Sequence, residues 1–535
     1  VTAALLRGRR TSNGPCLSRY PLEQRSLSRL LIDQAARLPE RAWVVFDDSR
    51  DALGDSHDIL TYGAALARAR QVATRLASSP RRGATPRVGL MMRNCPEYLV
   101  ALHGTLLAGG LAILIDPDLP PAPLAALLER AALDWLLVDA DSSEAARRAS
   151  QAPTQRVEIG ADWNAWISAA TPAALPPLPR HDADALVMFT SGTTGQPKGV
   201  VMSHHYAFLY GAVATDSLSR TEDDVISGPL PLFHTSGLQM IVHSALHAGG
   251  TAHLRRRFSA SRYWEEIAAD GATQGCLVAE MGRMIQRRSA DAPPHRLRNL
   301  SIGGLLDHEE FERRFRVRVL WQGYGMTEAY PCPMGPAPWG GIEHTIGMPM
   351  DYVEYGVVDA DDRLLPQGET GELVLRMPPH FMFERYLDDE AATQQAMRGG
   401  LFHTGDRMSI SPEGLLAHRG RAGERLRHHG ENVDPRAIEL AALAQPGVRE
   451  AAAFGVPGAL GDDDVKLDVV ADAGLDLAAL RAALAAHLPK KSLPRYLECR
   501  DELPRSGTFK IRKHRLREDG VNRPGVFDAE APAVP

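Results

Sequence analysis

The segment Thr190-Ser191-Gly192-Thr193-Thr194-Gly195-Gln196-Pro197-Lys198-Gly199 constrains this chain more than any other. It follows a buried apolar run, Ala185–Thr190, and leads into Val200-Val201-Met202. Its three glycines let backbone N–H groups turn toward one anion, and its four hydroxyls add further donors. Lys198 supplies a mobile positive charge. A polar surface loop is the plain alternative, but the density of Gly, Ser and Thr beside a lysine weighs against it. The segment is not a Walker A loop, because Pro197 stands where Gly-Lys is required. It therefore predicts a phosphate-binding turn on an α/β scaffold that is not an ordinary P-loop NTPase.

Lysine is scarce here. Only Lys198, Lys466, Lys490, Lys491, Lys510 and Lys513 occur among 60 basic residues; the rest are arginine. Ammonium is a compact point donor and guanidinium a wide planar fork. A retained lysine is thus a position where the fork does not fit, although Lys490-Lys491 also reads as plain surface charge.

The chain has 535 residues, enough for about three folding units. With 44% hydrophobic and 24% charged residues it is globular, not disordered. A net charge of -6 gives no cationic footprint for nucleic acid or a membrane surface. Cys16, Cys95, Cys276, Cys332 and Cys499 form no framework, so separate thiols in a reducing cytoplasm are expected. The first residues do not read as a secretion signal. The uncharged run Tyr98–Ile115 is broken by Gly109-Gly110 and reads as a buried helix followed by a buried strand, not as a membrane span.

Periodicity predicts an amphipathic helix over Tyr62–Ala77, with Leu66, Ala69, Val72, Ala73 and Leu76 on one face. Val88–Met92, Leu111–Ile115 and Trp135–Val138 read as short buried strands. Such strands separated by helices argue for parallel sheets covered on both faces. Later, Glu372–Arg376 and Gly414–His418 read as strands with tight turns between them. Beyond Arg421 a small α+β unit is expected, with helices near Pro435–Ala444 and Leu477–Leu488 and strands near Ala451–Val456 and Lys466–Ala471. The expected division is a large N-terminal α/β domain with a β-rich subdomain, residues 1–420, and a small mobile α+β domain, residues 421–535. Residues 1–24 and 522–535 are expected to be loose.

A second constellation follows the strand-like run Val317–Trp321: Gly323-Tyr324-Gly325-Met326-Thr327-Glu328. Glycines flanking an aromatic allow close backbone approach to a planar ligand. Tyr324 can stack on a purine, Thr327 can donate to an oxyanion, and Glu328 offers the hard oxygen that Mg²⁺ favours.

Together the two segments resemble the signatures of the adenylate-forming superfamily, which includes acyl-CoA synthetases, peptide-synthetase adenylation domains and firefly luciferase. Further segments are similar in family order from about residue 60 to 518. Phe402-His403-Thr404-Gly405-Asp406 resembles the ribose motif, with Asp406 and Arg421 as the ribose contacts it implies. Gly303-Gly304 resembles the segment along adenine and the acyl pocket; Leu305 replaces the usual small residue after it. Pro231-Leu232-Phe233-His234-Thr235-Ser236-Gly237 resembles the acyl-pocket entrance, where His234 reads equally as a structural histidine. Leu503–Ile511 resembles the loop that carries the adenylation lysine, here Lys510, with Phe509 in place of a glycine. Arg421–Val433 resembles the hinge and the loop after it. Gly430 would approach the pantetheine arm, and Gly423 replaces the usual charged residue.

The resemblance implies an ATP-dependent acid–thiol ligase. A carboxylate attacks the α-phosphate of MgATP, giving acyl-AMP and pyrophosphate, and a thiol then expels AMP. It places Thr190, Ser191, Gly192, Thr193, Thr194, Gly195 and Lys198 on phosphate, Gly323, Tyr324 and Gly325 along the nucleotide, and Glu328 at the metal. Thr327, Glu328, His234 and Lys510 would serve the chemistry. Amino-acid-activating relatives carry an aspartate near His234; this chain has none, so an α-amino acid is disfavoured. Glycine at 325, where acetate-specific relatives carry tryptophan, implies room for a larger acid. No insertion follows Glu328, which favours free coenzyme A over a carrier-protein phosphopantetheine. A nucleotide-binding homologue impaired in catalysis is the other alternative, suggested by Phe509 and Gly423. Nothing in the sequence decides between monomer and homodimer.

Overall fold

The computed structural model describes residues 4–12, 14–47, 57–78, 83, 85–149, 155–160, 162–168, 175–190, 198–303, 308–320, 323–334, 345–421, 426–428, 431–433, 435–458, 463–505 and 511–530. The chain forms two compact units. One comprises Leu6–Tyr355 with Leu375–Phe402; the other comprises Val1–Leu5, Gly356–Val374 and His403–Pro535.

Two seven-stranded sheets build the first unit. One has the order Arg318–Leu320, Asn299–Gly303, Gln274–Val278, Val225–Gly228, Thr251–Arg255, Ala42–Asp47, His57–Thr61. All its pairs are parallel except the last. The other has the order Arg385–Tyr386, Lys198–Ser203, Asp184–Thr190, Leu111–Leu114, Arg87–Met91, Trp135–Val138, Gln155–Glu158. Its first three strands are antiparallel and its last five parallel. The strands Leu111–Leu114 and Trp135–Val138 are buried at every residue, as strands covered on both faces must be.

The helix Tyr62–Ala77 forms as its periodicity predicts. Thr61 caps it, its hydroxyl accepting from the Ala64 N–H, and Leu66, Ala69, Val72, Ala73 and Leu76 are buried. The uncharged run divides into the helix Pro96–Leu107 and the strand Leu111–Leu114. Gly109 turns the chain between them at φ 68°. No helix among the described residues is long and apolar enough to cross a membrane.

In the second unit, Phe402–Ile410 pairs antiparallel with Leu416–Arg421. A separate sheet has the order Val448–Pro457, Asp463–Ala471, Tyr496–Cys499, Val526–Asp528. The helices Pro435–Leu443 and Leu477–Leu484 contribute Ile438, Ala442, Leu480 and Leu484 to its core. The second helix stops at Leu484, short of the expected Leu488.

Both ends differ from their expected looseness. Leu6–Arg7 pairs with Glu354–Tyr355, and Cys16, Leu17 and Tyr20 are buried. Val526–Asp528 adds a strand to Tyr496–Cys499. In each case a few apolar residues outweigh a polar, proline-containing composition.

Among the described residues of the first unit, the buried histidines include His103, His204, His205, His243 and His247. His103 lies edge-on to Trp43 at 5.2 Å and to His243 at 5.5 Å. Burial lowers all five, to about 3 for His103, His205 and His247, to about 4 for His204, and well below the ordinary range for His243. The unfolded chain takes up these protons near pH 6.5 and the folded chain does not. Stability is therefore full above that pH and falls as pH drops toward 3–4, by up to about 1.4 kcal/mol per histidine per pH unit. Burial raises Asp468 in the second unit to about 6 and also raises Asp216 and Glu266, and these carboxyls act in the opposite direction. Denaturant midpoints are expected to drop steeply from pH 7.5 to 5.5, and less steeply in His103→Leu. Equal midpoints at the two pH values would contradict this reading.

Candidate active site

The phosphate-loop candidate joins two antiparallel strands, Asp184–Thr190 and Lys198–Ser203, with Thr190 paired to Lys198 at its base. Ser191, Gly192, Thr193, Thr194 and Gly195 lie outside the described residues. The loop thus closes a hairpin rather than opening a helix, which accounts structurally for the absence of a Walker signature. Thr190 and Gly303 end the strands Asp184–Thr190 and Asn299–Gly303. Carboxyl ends of strands are where α/β sheets receive ligands. Gly304 lies outside the described residues.

The strand Arg385–Tyr386 pairs with Val200 and Val201, just after Lys198. Arg385 fixes it with a bidentate bond to Asp184, at 3.0 and 2.5 Å. The Tyr386 ring then sits 4.9 Å from the Lys198 ammonium. Its hydroxyl donates to Glu328 Oε1 at 2.9 Å. A tyrosine that the sequence did not single out therefore joins the loop lysine to the proposed metal carboxylate. A two-residue strand has no periodicity from which Tyr386 could have been read.

The motif around Glu328 is a closed turn. Tyr324 and Cys332 exchange backbone hydrogen bonds at 2.7 and 3.1 Å, and the Met326 N–H donates to the Ala329 carbonyl at 2.8 Å. The Tyr206 hydroxyl donates to the Thr327 carbonyl at 3.2 Å. Tyr206 lies in the first turn of the helix His204–Ser217, which Ser203 caps directly after the loop's second strand. Thr327 and Glu328 are both buried, held by hydroxyls from two elements that flank the hairpin.

The glycines are explained by close neighbours. A Cβ at Gly323 would lie 2.5 Å from Met334 Cγ, and one at Gly303 would lie 3.3 Å from Met334 Cε, so one methionine spans both motifs. A Cβ at Gly325 would lie 2.5 Å from the Tyr330 ring. That ring stacks on Tyr210 at 4.2 Å. Glycine at 325 thus admits Tyr330, and on that side the space expected for a larger acid is filled.

His234 caps the turn Thr235–Gly237, its Nδ1 accepting from the Ser236 N–H at 3.2 Å and lying 2.8 Å from the Ser236 hydroxyl. This is the structural use of the residue.

In the second unit, Asp406 and Arg421 are cross-strand partners. The two ribose candidates, fifteen positions apart, are neighbours because their strands form a hairpin. Asp406 is buried, and its N–H donates to Thr404 Oγ1 at 3.1 Å. His418 Nε2 approaches Asp406 Oδ1 at 3.6 Å, while His418 Nδ1 accepts from the Gly420 N–H at 3.1 Å. His418 was also not singled out; one histidine in a strand has no sequence mark. Gly430 and Lys510 lie outside the described residues. Arg505 and Ile511 form an antiparallel bridge on either side of the segment that contains Lys510.

The sequence model of the family described as AMP-binding enzyme matches residues 31–387, more than half of the chain. The chain belongs to the AMP-binding enzyme family. This AMP-binding enzyme is 30% identical over 496 residues to a medium/long-chain-fatty-acid–CoA ligase of Mycobacterium marinum, covering 90% of this chain and 93% of that one. A Mycobacterium tuberculosis protein of the same description is 29% identical over 557 residues, covering 96% and 89%. Among solved structures, ATP-bound MatB from Rhodopseudomonas palustris superposes with a TM-score of 0.79 at 25% identity, covering 92% of this chain and 98% of that chain. The fold is that of this family, a large N-terminal domain followed by a smaller C-terminal one.

The Tyr386–Glu328 bond gives a direct test. A hydrogen bond to a carboxylate contributes about 1.5–3 kcal/mol. Tyr386→Phe is expected to lower unfolding free energy by that amount, and a double-mutant cycle with Glu328→Gln is expected to show coupling of similar size. A zero coupling energy would remove the link.

Proposed function

We propose that this chain is an AMP-forming carboxylic acid–coenzyme A ligase. The observation that carries the reading is the Lys198–Tyr386–Glu328 contact, which ties a phosphate-loop cation to a buried carboxylate on the adenylation motif. The family match supports it, as do curated relatives described as CoA ligases over nearly their whole length.

On this reading the loop 190–198 receives the ATP phosphates, with Lys198 as counter-charge. Glu328 fits a magnesium ion, being a buried carboxylate whose Oε1 is oriented by the Tyr386 hydroxyl. That ion would neutralise charge on the phosphates. Tyr324 lies along the adenine, and Asp406 with Arg421 takes the ribose hydroxyls. The substrate carboxylate attacks the α-phosphorus and pyrophosphate leaves. Thr327 donates to the α-phosphate, and Lys510 neutralises charge between carboxylate and phosphate as five-coordinate phosphorus forms. The enzyme's share is positioning and neutralisation; ATP supplies the leaving group.

The second step uses a hinge at the 420/421 boundary. Rotation of residues 421–535 withdraws Lys510 and brings Gly430 to the pantetheine arm, and the thiol expels AMP. Free coenzyme A is the inferred acceptor because no insertion interrupts the chain after Glu328. None of the cysteines is required; burial pushes the Cys16, Cys95, Cys276 and Cys332 thiols up, away from the nucleophilic form.

Lys510→Ala separates the half-reactions. Acid-dependent pyrophosphate release is expected to fall by at least about a thousandfold, while thioester formation from supplied acyl-AMP is largely kept. Equal loss in both assays would count against the assigned role of Lys510.

A further inference from the structure

Arg220 follows the helix His204–Ser217 and is 6% exposed. Its Nη1 donates to the Met240 carbonyl and, at 2.7 Å, to the Ser244 hydroxyl. Its Nε and Nη2 have no hydrogen-bond partner among the described residues, although both are buried. Those two atoms form one edge of the guanidinium, the parallel N–H pair that matches a carboxylate bidentately.

Among the described residues, the titratable groups that face Arg220, which are Asp224, Cys276 and Tyr330, do not supply the missing anion. Asp224 already accepts from the Thr221 N–H at 2.9 Å, Thr273 Oγ1 at 2.6 Å and Arg298 Nη2 at 2.6 Å. Burial raises the Cys276 thiol to about 11 and the Tyr330 phenol still higher, so both are neutral. Burial lowers Arg220 only to about 10, and it stays cationic at neutral pH. Arg255 in the same unit shows the contrast: its Nη1 and Nη2 meet the two Asp270 oxygens, each at 2.6 Å. A buried cation with an unpaired edge is costly to keep.

The position relates Arg220 to the candidate site. Met240, whose carbonyl Arg220 holds, accepts a hydrogen bond on its sulfur from the Tyr330 hydroxyl at 3.4 Å. Tyr330 is two residues beyond Glu328, and its ring lies against Gly325 and Tyr210. Arg220 and Tyr330 thus hold the same residue, Met240, one by its carbonyl and the other by its sulfur.

Resting on the ligase reading above, we infer that Arg220 recognises a second carboxylate at the far end of the acyl group, so that the preferred substrates are dicarboxylic acids.

The experiment compares straight-chain monocarboxylic acids with α,ω-dicarboxylic acids of equal length, from four to ten carbons. Pyrophosphate release is measured for the wild type, Arg220→Met and Arg220→Lys. The wild type is expected to favour a dicarboxylate by about 100-fold in kcat/KM. Arg220→Met is expected to bring that ratio near one, and Arg220→Lys to restore part of it. Thermal shifts of the wild-type chain with each acid in the presence of AMP give a second readout that needs neither turnover nor a folded variant. If dicarboxylates alone raise the melting temperature, the shift is lost in Arg220→Met and no acid releases pyrophosphate, the ligase reading fails while Arg220 keeps its role as a carboxylate-binding group. A preference for monocarboxylates at every length, an unchanged ratio in Arg220→Met, or the absence of any dicarboxylate-specific shift or turnover would overturn the inference.

Discussion

The site in the larger unit depends on one side chain, Tyr386. Its ring lies beneath the Lys198 ammonium and its hydroxyl holds Glu328. Lys198 and Glu328 are 130 positions apart in sequence, and each on its own is an ordinary charged residue. Tyr386 can join them because Arg385 grips Asp184 and so adds a short strand to the edge of the phosphate-loop hairpin. The Tyr206 hydroxyl supports Thr327 from the helix that continues that hairpin. Preorganisation of this kind lets an enzyme that works by charge neutralisation act without reorganising at the moment of reaction.

Much of the architecture was legible in local pattern. The helix Tyr62–Ala77 and the strand Trp135–Val138 form at the expected residues, since strong periodicity and continuous burial leave little choice. Motif chemistry singled out Thr190, Lys198, Thr327, Glu328, Asp406 and Arg421 as candidates, and the structure pairs Thr190 with Lys198 and Asp406 with Arg421 across strands. Tyr386, Tyr206 and His418 were not, because their roles arise only from strand and helix neighbours distant in sequence. The two chain ends misled for a related reason: composition is local, whereas Cys16, Leu17 and Tyr20 are buried by partners elsewhere in the fold.

The scarcity of lysine has a structural echo. Lys466 is completely buried, with its ammonium 2.6 Å from Glu498, 3.3 Å from Asp468 and 2.8 Å from the Gly520 carbonyl, and 5.7 Å from the Phe454 ring centroid. A compact donor bonds to Glu498 and the Gly520 carbonyl and lies beside the Asp468 carboxylate, an arrangement around one point that a planar fork would not match. Arginine shows the converse logic at Arg255, whose fork is matched by Asp270. Against both, Arg220 has an Nε–Nη2 edge that no group among the described residues meets.

The central claim is that these elements activate a carboxylate on ATP. The most direct measurement is acid-dependent exchange of labelled pyrophosphate into ATP by the intact chain. The account predicts exchange that requires magnesium and a carboxylic acid and proceeds without coenzyme A. ATP binding with no exchange across aliphatic, aromatic and dicarboxylic acids, or exchange indifferent to added acid, would contradict it.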